Sequence, residues 1–367
     1  MQAGGDRATM LKERTTHVRE ILGVEAMQQS NEAAHSESRL VMNGALPGGD
    51  AVAEVLHEAY AQFRGVDDGD ISQVYPELSR SDPAHFGLAL VDVEGHSFVE
   101  GDDDVSFALM SVAKPFVFAL ACETHGVDYV CDEVGMDATG LPFNSAAAVE
   151  RNGGRTNPMV NAGAIATASL ISGSTSPRSI PNESLEDRWA FIVERLSAFA
   201  GRELELDHDV LESARTTNFR NRGLGNLLAG LGRIVGDTND AIELYTRQSC
   251  LSVTALDLAV MAATLADGGA NPITKQQVVG GEEARAALAA MTIAGMYETS
   301  GSWLMRVGLP GKSGIAGGVI AVSPGKGALG SYSPLLDPAG NSVRGTLAAR
   351  WISRRLGLDI LASAVHR

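Results

Sequence analysis

Two β-patterned stretches at opposite ends of the chain, with a long helical middle between them, constrain the fold more than any other feature. Residues 86–101, FGLALVDVEGHSFVEG, set apolar stretches on either side of Glu94-Gly95 and read as a β-hairpin. From Gly308 the short-strand pattern returns as GGVIAVSP and ALGSYSP, joined by a Pro324-Gly325 turn. Between them, from Phe107 to about residue 265, the chain is Ala-rich and mainly helical, punctuated at Gly140-Leu141-Pro142, Gly153-Gly154 and Ser172–Pro181. A last helix, roughly Ser342–Leu356, follows the turn Asp337-Pro338-Ala339-Gly340. This order predicts an α/β (α+β) fold in which both ends of the chain build one sheet and a helical lobe, about 110–290, is inserted. The sheet lobe is expected from 69–105 and 291–360. Residues 1–50 read as a polar, mostly helical extension closed by the turn-rich Leu46-Pro47-Gly48-Gly49-Asp50, leaving 51–360 as the main domain.

Charge removes several classes of function. The net charge of −16 leaves no basic footprint for nucleic acid or an anionic membrane. Cys122, Cys131 and Cys250 are odd in number and lack C-x-x-C spacing, so neither a disulfide framework nor a zinc site is indicated. The scattered histidines include no H-E-x-x-H pair, so neither metal nor cofactor is expected. Asp102-Asp103-Asp104 and Asp207-His208-Asp209 read as a charged turn and a solvated loop. The N-terminal stretch has no apolar core of a secretory signal, and no apolar run reaches 18 residues, which points to a cytoplasmic setting.

Chemistry enters at the lysines. The chain has only five, and two of them, Lys114 and Lys326, stand three residues after a serine. Ser111-Val112-Ala113-Lys114 is read as a helix opening, with Pro115 tolerated in the first turn. A helix puts positions i and i+3 on one face, so the Lys114 amine can reach the Ser111 hydroxyl. The helix N-terminus also leaves backbone N–H groups for a developing oxyanion. A desolvated lysine of lowered pKa can remove the serine proton. An ordinary helix start would look the same. Ser323-Pro324-Gly325-Lys326 lies on a turn and cannot present that face.

The stretch Gly311-Lys312-Ser313-Gly314-Ile315-Ala316-Gly317-Gly318 precedes a predicted strand. It is no P-loop, because Arg306 stands where the first glycine is required and no helix follows. A K-[ST]-G strand is instead the partner of S-x-x-K in serine penicillin-recognising enzymes. A glycine-rich hairpin edge is the plainer alternative.

Longer segments go further. Asn157–Ile165 (NPMVNAGAI), MAATLADGGANPIT (261–274), the GMY at Gly295–Tyr297, VGLPGKSGIAGG (307–318) and SPLLDPAGNSVRG (333–345) resemble the serine-dependent glutaminases, from about Gly69 to Leu356. That resemblance implies a β-lactamase/DD-peptidase-like fold, an antiparallel sheet flanked by helices with an inserted all-helical lobe. It implies hydrolysis of L-glutamine to L-glutamate and ammonia without metal or organic cofactor, in a homo-oligomer, dimer or tetramer. By position, Ser111 is the nucleophile, Lys114 its base and Tyr297 a proton shuttle. The N–H groups of Ser111 and Ile315 form the oxyanion hole, while Asn161, Asn221 and Tyr245 hold the amino-acid end of the substrate. Taken singly, the two tyrosines could equally be packed aromatics and the two asparagines caps or turn residues.

Three positions depart from the family pattern. Ala214 stands where a glutamate precedes the Arg-Asn pair, with Glu212 two places away. Val74 replaces a tyrosine, with Tyr75 one place over, and Met110 precedes the nucleophile where glutamine is common. These departures leave open a sister amidase acting on another small amide or γ-substituted glutamine, or a non-catalytic binding homologue.

Overall fold

In the computed structural model, residues 46–172 and 183–363 are described. The expected extension up to residue 45, and nearly all of the Ser172–Pro181 break, lie outside them. Five strands form the main sheet: β1 (Gly87–Asp92), β2 (Ser97–Gly101), β3 (Gly311–Ser313), β4 (Gly318–Ser323) and β5 (Gly327–Tyr332). Their order is β2-β1-β5-β4-β3 and every pairing is antiparallel. The hairpin pairs Gly87 with Gly101 and Val91 with Ser97, and β1 then joins the C-terminal strands through Gly87↔Tyr332 and Asp92↔Gly327. A sheet built from both chain ends is what the two distant β-patterned stretches require.

Alternation along the strands sorts side chains into two cores. Leu88, Leu90, Val319, Ala321 and Leu329 face one apolar cluster, while Ala89, Val91, Ile320, Val322 and Ala328 face the other. Both faces are therefore covered, and β1, β4 and β5 are buried along almost their whole length.

Helix α1 (Gly49–Phe63) precedes the hairpin and adds Val52, Val55 and Leu56 to the first cluster. The expected linker Leu46–Asp50 is thus shorter than predicted, because Gly49 and Asp50 already belong to this helix. Between the hairpin and β3 come, among others, α2 (Ala113–His125), α3 (Asn161–Ser169), α4 (His208–Thr217), α5 (Phe219–Gly230), α6 (Thr238–Ser249), α7 (Ala255–Ala266) and α8 (Gly281–Ala294). The closing helix α9 (Val343–Arg355) is capped by Ser342, whose side chain accepts from the Gly345 N–H. Asp207 likewise caps α4 by accepting from the Val210 N–H, so Asp207-His208-Asp209 is a helix start and not a free loop.

Helix α7 lies directly on the sheet. A Cβ at Gly330 would fall 2.3 Å from the Ala255 carbonyl oxygen, so only glycine permits this approach. Helix α2 is buried from Ala113 through Cys122 and is the axis around which the helical lobe packs. Strands Phe107–Ala108, Glu205–Leu206 and Leu251–Val253 form a small antiparallel sheet inside the expected all-helical lobe. Two or three residues are too few to show a period in sequence. Among the described residues, no helix is long and apolar enough to cross a membrane.

Candidate active site

Ser111 stands where the chain passes from strand Phe107–Ala108 into α2. It lies in the 3-10 turn Met110–Val112, one step ahead of the helix that the sequence places it in. Met110 has φ 48°, a left-handed conformation that costs a non-glycine residue roughly 1–2 kcal/mol. The turn is fixed by the Leu109 N–H donating to the Leu251 carbonyl at 2.8 Å and the Val112 N–H donating to Leu109 at 3.2 Å.

Lys114 is buried in the first turn of α2. Its Nζ donates to Asn161 Oδ1 at 2.7 Å and to the Met159 carbonyl at 3.3 Å. Among the described residues no carboxylate pairs with it, and burial lowers its pKa from 10.5 to about 7. A hydrogen bond to Ser111 Oγ is not among its contacts. Bonds of this kind commonly close only when substrate is bound.

Tyr297 follows α8 in a second left-handed conformation, φ 53°. The Gly295 of the GMY segment is obligatory there, since a Cβ would fall 1.8 Å from the Gly311 carbonyl oxygen. The Tyr297 hydroxyl donates to the Ser313 carbonyl at 3.0 Å, and its ring packs on Phe143 with centroids 4.6 Å apart. Burial raises the phenol well above its ordinary value, against the opposing hydrogen bond from Ser111. The phenol therefore stays protonated at neutral pH, with its hydrogen on the Ser313 carbonyl.

Lys312 was read only as part of a backbone motif, yet its side chain is fully buried at the same place. Its Nζ donates to the Ser313 carbonyl and sits 4.6 Å from the Tyr297 ring centroid. Burial, and then the charge of Lys114, hold its pKa well below the usual lysine value.

Of the sequence-predicted residues, Ser111, Asn161, Asn221, Tyr245 and Ile315 line one cavity of about 140 Å³, while Tyr297 lines a second one of about 360 Å³ and Lys114 lines neither. Asn161 Nδ2 donates to Asn221 Oδ1 at 2.9 Å, and the Lys114 Nζ lies 5.8 Å from the Tyr245 ring centroid. Ile315 occupies the turn between β3 and β4, where Gly314 N–H donates to Gly318 and Gly317 N–H to Gly314. Among the described residues, the Ile315 N–H has no backbone acceptor.

The departed positions are placed too. Met110 and Val74 both line the Ser111 cavity, and so does Tyr75, a half-buried side chain whose phenol pKa is pushed up to about 12 by desolvation and then by Cys250. Ala214 is buried on α4, one turn before the cavity-lining Thr217 and Asn218, while Glu212 is exposed and does not reach the cavity. Among the described residues, none that lines the cavity is Asp or Glu; its charged member is Arg220, which donates to the Asn144 carbonyl at 2.8 Å.

A larger cavity of about 610 Å³ lies beside the β1–β2 turn and shares none of these groups. Asp92, Glu94 and His96 cluster there within metal-ligand reach of one another. The Asp92 carboxylate is spent on the turn, accepting from the N–H groups of Glu94, Gly95 and His96. Chemistry rather than size selects the Ser111 cavity.

Comparison with known proteins agrees with that selection. Residues 69–361 match the family model described as Glutaminase. Glutaminase 2 of Yersinia pestis is 51% identical over 324 residues, 88% of this chain and 93% of that protein. The solved structure of a probable glutaminase, ybaS, superposes with TM-score 0.83 at 38% identity, covering 86% of this chain and 100% of that one. The Bacillus subtilis glutaminase YbgJ, solved as a covalent complex with 5-oxo-L-norleucine, superposes with TM-score 0.74 at 28% identity over 84% of this chain and 99% of its own. With a β-lactamase-like sheet and helical lobe, and a half-buried serine near a buried lysine and tyrosine, the chain belongs to the glutaminase family.

Proposed function

We propose that this protein is an amidohydrolase that converts L-glutamine to L-glutamate and ammonia through an acyl-enzyme on Ser111. The observation that carries the reading is Lys114, a buried amine without a counter-charge, one turn from the serine and neutral in a useful fraction near pH 7. In the first half-reaction Lys114 takes the Ser111 proton as Oγ attacks the side-chain amide carbon. The oxyanion is received by the N–H groups of Ser111 and Ile315. Tyr297, in contact with Ser111, passes a proton to the amide nitrogen and is reprotonated by the Lys114 ammonium, so ammonia leaves with Lys114 neutral again. Water then attacks the ester, giving its proton to Lys114, and glutamate departs as Ser111 regains its hydrogen.

Asn161, Asn221 and Tyr245 hold the amino-acid end, supported by their place in the lining of the Ser111 cavity. Ammonia release measured over glutamine, asparagine and N-substituted glutamines tests the reading. Release from glutamine by wild type, and none by Ser111→Ala, is expected. No release from any of these amides would overturn it.

A further inference from the structure

The hydrogen bonds of Lys114 do not stop at Asn161. Asn161 Nδ2 donates to Asn221 Oδ1 at 2.9 Å, Asn221 Nδ2 to Asn218 Oδ1 at 2.5 Å, and Asn218 Nδ2 to Thr246 Oγ1 at 2.9 Å. Thr246 Oγ1 then donates to the Ile242 carbonyl at 2.7 Å. Every side chain in this chain of bonds is buried, so none of its links is exchanged with bulk water without cost. The members come from α2, α3, α5, the α4–α5 junction and α6, and nothing in their sequence spacing announces them.

The direction of the chain is set at its far end. A hydroxyl has one proton, and Thr246 commits it to a carbonyl one turn back in α6. Its oxygen can then only accept, so Asn218 must turn its NH₂ towards Thr246 and its oxygen towards Asn221. The same constraint passes through Asn221 to Asn161, which must turn its oxygen towards Lys114. A neutral lysine amine has two N–H donors and one lone pair. With Asn161 Oδ1 and the Met159 carbonyl taking the two donors, the lone pair is left for the serine proton. Were Asn161 reversed, its NH₂ would bind that lone pair and the base would be blocked.

We propose that Thr246 and Asn218 are positioning residues that fix the polarity of this amide chain and so keep the Lys114 lone pair free for Ser111. The inference rests on Lys114 acting as the base of Ser111. The titratable groups around Lys114 are Lys312, Tyr245 and, beside Lys312, Tyr297. Glu283 of α8 and Arg195 of helix Leu185–Ala200 meet α2 at its other end, near Cys122 and Glu123.

The experiment is steady-state ammonia release against pH for Thr246→Val, Thr246→Ser and Asn218→Ala, alone and in a Lys114→Ala background. Thr246→Val should lower kcat by about tenfold, the size of one hydrogen bond to a charged group, with KM changed less than about twofold. Its acid limb should move to lower pH, since the lysine ammonium loses an oriented acceptor. Thr246→Ser keeps the hydroxyl and should restore both kcat and the limb. In the Lys114→Ala background the Thr246→Val loss should vanish. A folded Thr246→Val with wild-type kcat and an unmoved limb, or a Thr246→Ser as impaired as Thr246→Val, would overturn the proposal. If Thr246→Val does not fold, Asn218→Ala decides by the same readouts. Full turnover in Lys114→Ala would instead overturn the function on which the proposal rests.

Discussion

Lys114 on α2 and Glu243 on α6 are treated in opposite ways. Glu243 is half-buried and is met by two cations, Arg215 and Arg247, the second of which also reaches Glu186 at 2.9 Å. Although burial pushes the Glu243 carboxyl up, the hydrogen bonds from the two arginines hold it below its ordinary value. Donating to Glu243 and Glu186 raises the arginines in turn. Lys114 is more deeply buried and, among the described residues, meets two neutral oxygens and no carboxylate. A paired charge is stabilised as a charge and is chemically inert. A buried, unpaired amine is destabilised as a charge, and that makes it a base at neutral pH. The strain at Met110 and Tyr297 falls on the unpaired side as well, where the surrounding packing has to hold it.

The comparison breaks first, and most severely, at the unpaired side. Ser111→Ala and Lys114→Ala should each lower ammonia release by at least about a thousandfold, and the double variant should lose little more, because the two groups act as one unit. Additive losses in kcat would show that they act independently.

A charge can also be added where the cavity has none. Ala214→Glu places a carboxylate one turn before Thr217 and Asn218, where it can meet the α-ammonium of glutamine. A buried charge pair of this kind is worth on the order of 2–5 kcal/mol. We therefore expect kcat/KM for glutamine to rise at least about tenfold, with no gain for N-acylated glutamine. An equal gain on both substrates, or none on either, would show that the α-nitrogen is recognised elsewhere.

Smaller in size is the pH dependence. The base must be neutral, so kcat/KM should rise as pH passes upward through about 7, the Lys114 value. Burial raises Tyr297 above the ordinary phenol value, so no fall should follow until well into the alkaline range. An acid limb set in the carboxylate range near pH 4 would point to a different base.

The smallest effect belongs to the paired side. Glu186 is largely exposed, so Glu186→Gln should alter stability by no more than about 1 kcal/mol and leave kcat unchanged. Thermal unfolding and ammonia release together check this. A large loss of activity would make the ion-pair network part of the catalytic apparatus.

Much of this was legible before any coordinates. The strands β1, β2, β4 and β5 show as short runs bounded by turn residues, and the turns Glu94-Gly95 and Pro324-Gly325 mark where the chain reverses. Ser111, Lys114 and Tyr297 stand in local motifs, so their convergence could be expected from spacing and resemblance. The side chain of Lys312 was hidden behind its own motif, since K-[ST]-G draws attention to the backbone. Asn218 and Thr246 were invisible for a different reason. Their link is a single hydrogen bond between side chains on separate elements, and such a bond leaves neither a period nor a spacing. Asp207 looked like part of a charged loop because a cap residue is recognised only once the helix it closes is known.

The nucleophile itself is open to direct labelling. A diazoketone analogue of glutamine alkylates the group that would attack the amide carbon, with loss of dinitrogen. Intact-mass measurement followed by peptide mapping should find one adduct per chain, on the peptide that contains Ser111. Ser111→Ala should remain unlabelled under the same conditions. An adduct on another residue, or undiminished labelling of Ser111→Ala, would contradict the assignment of Ser111 as the residue that carries the acyl group.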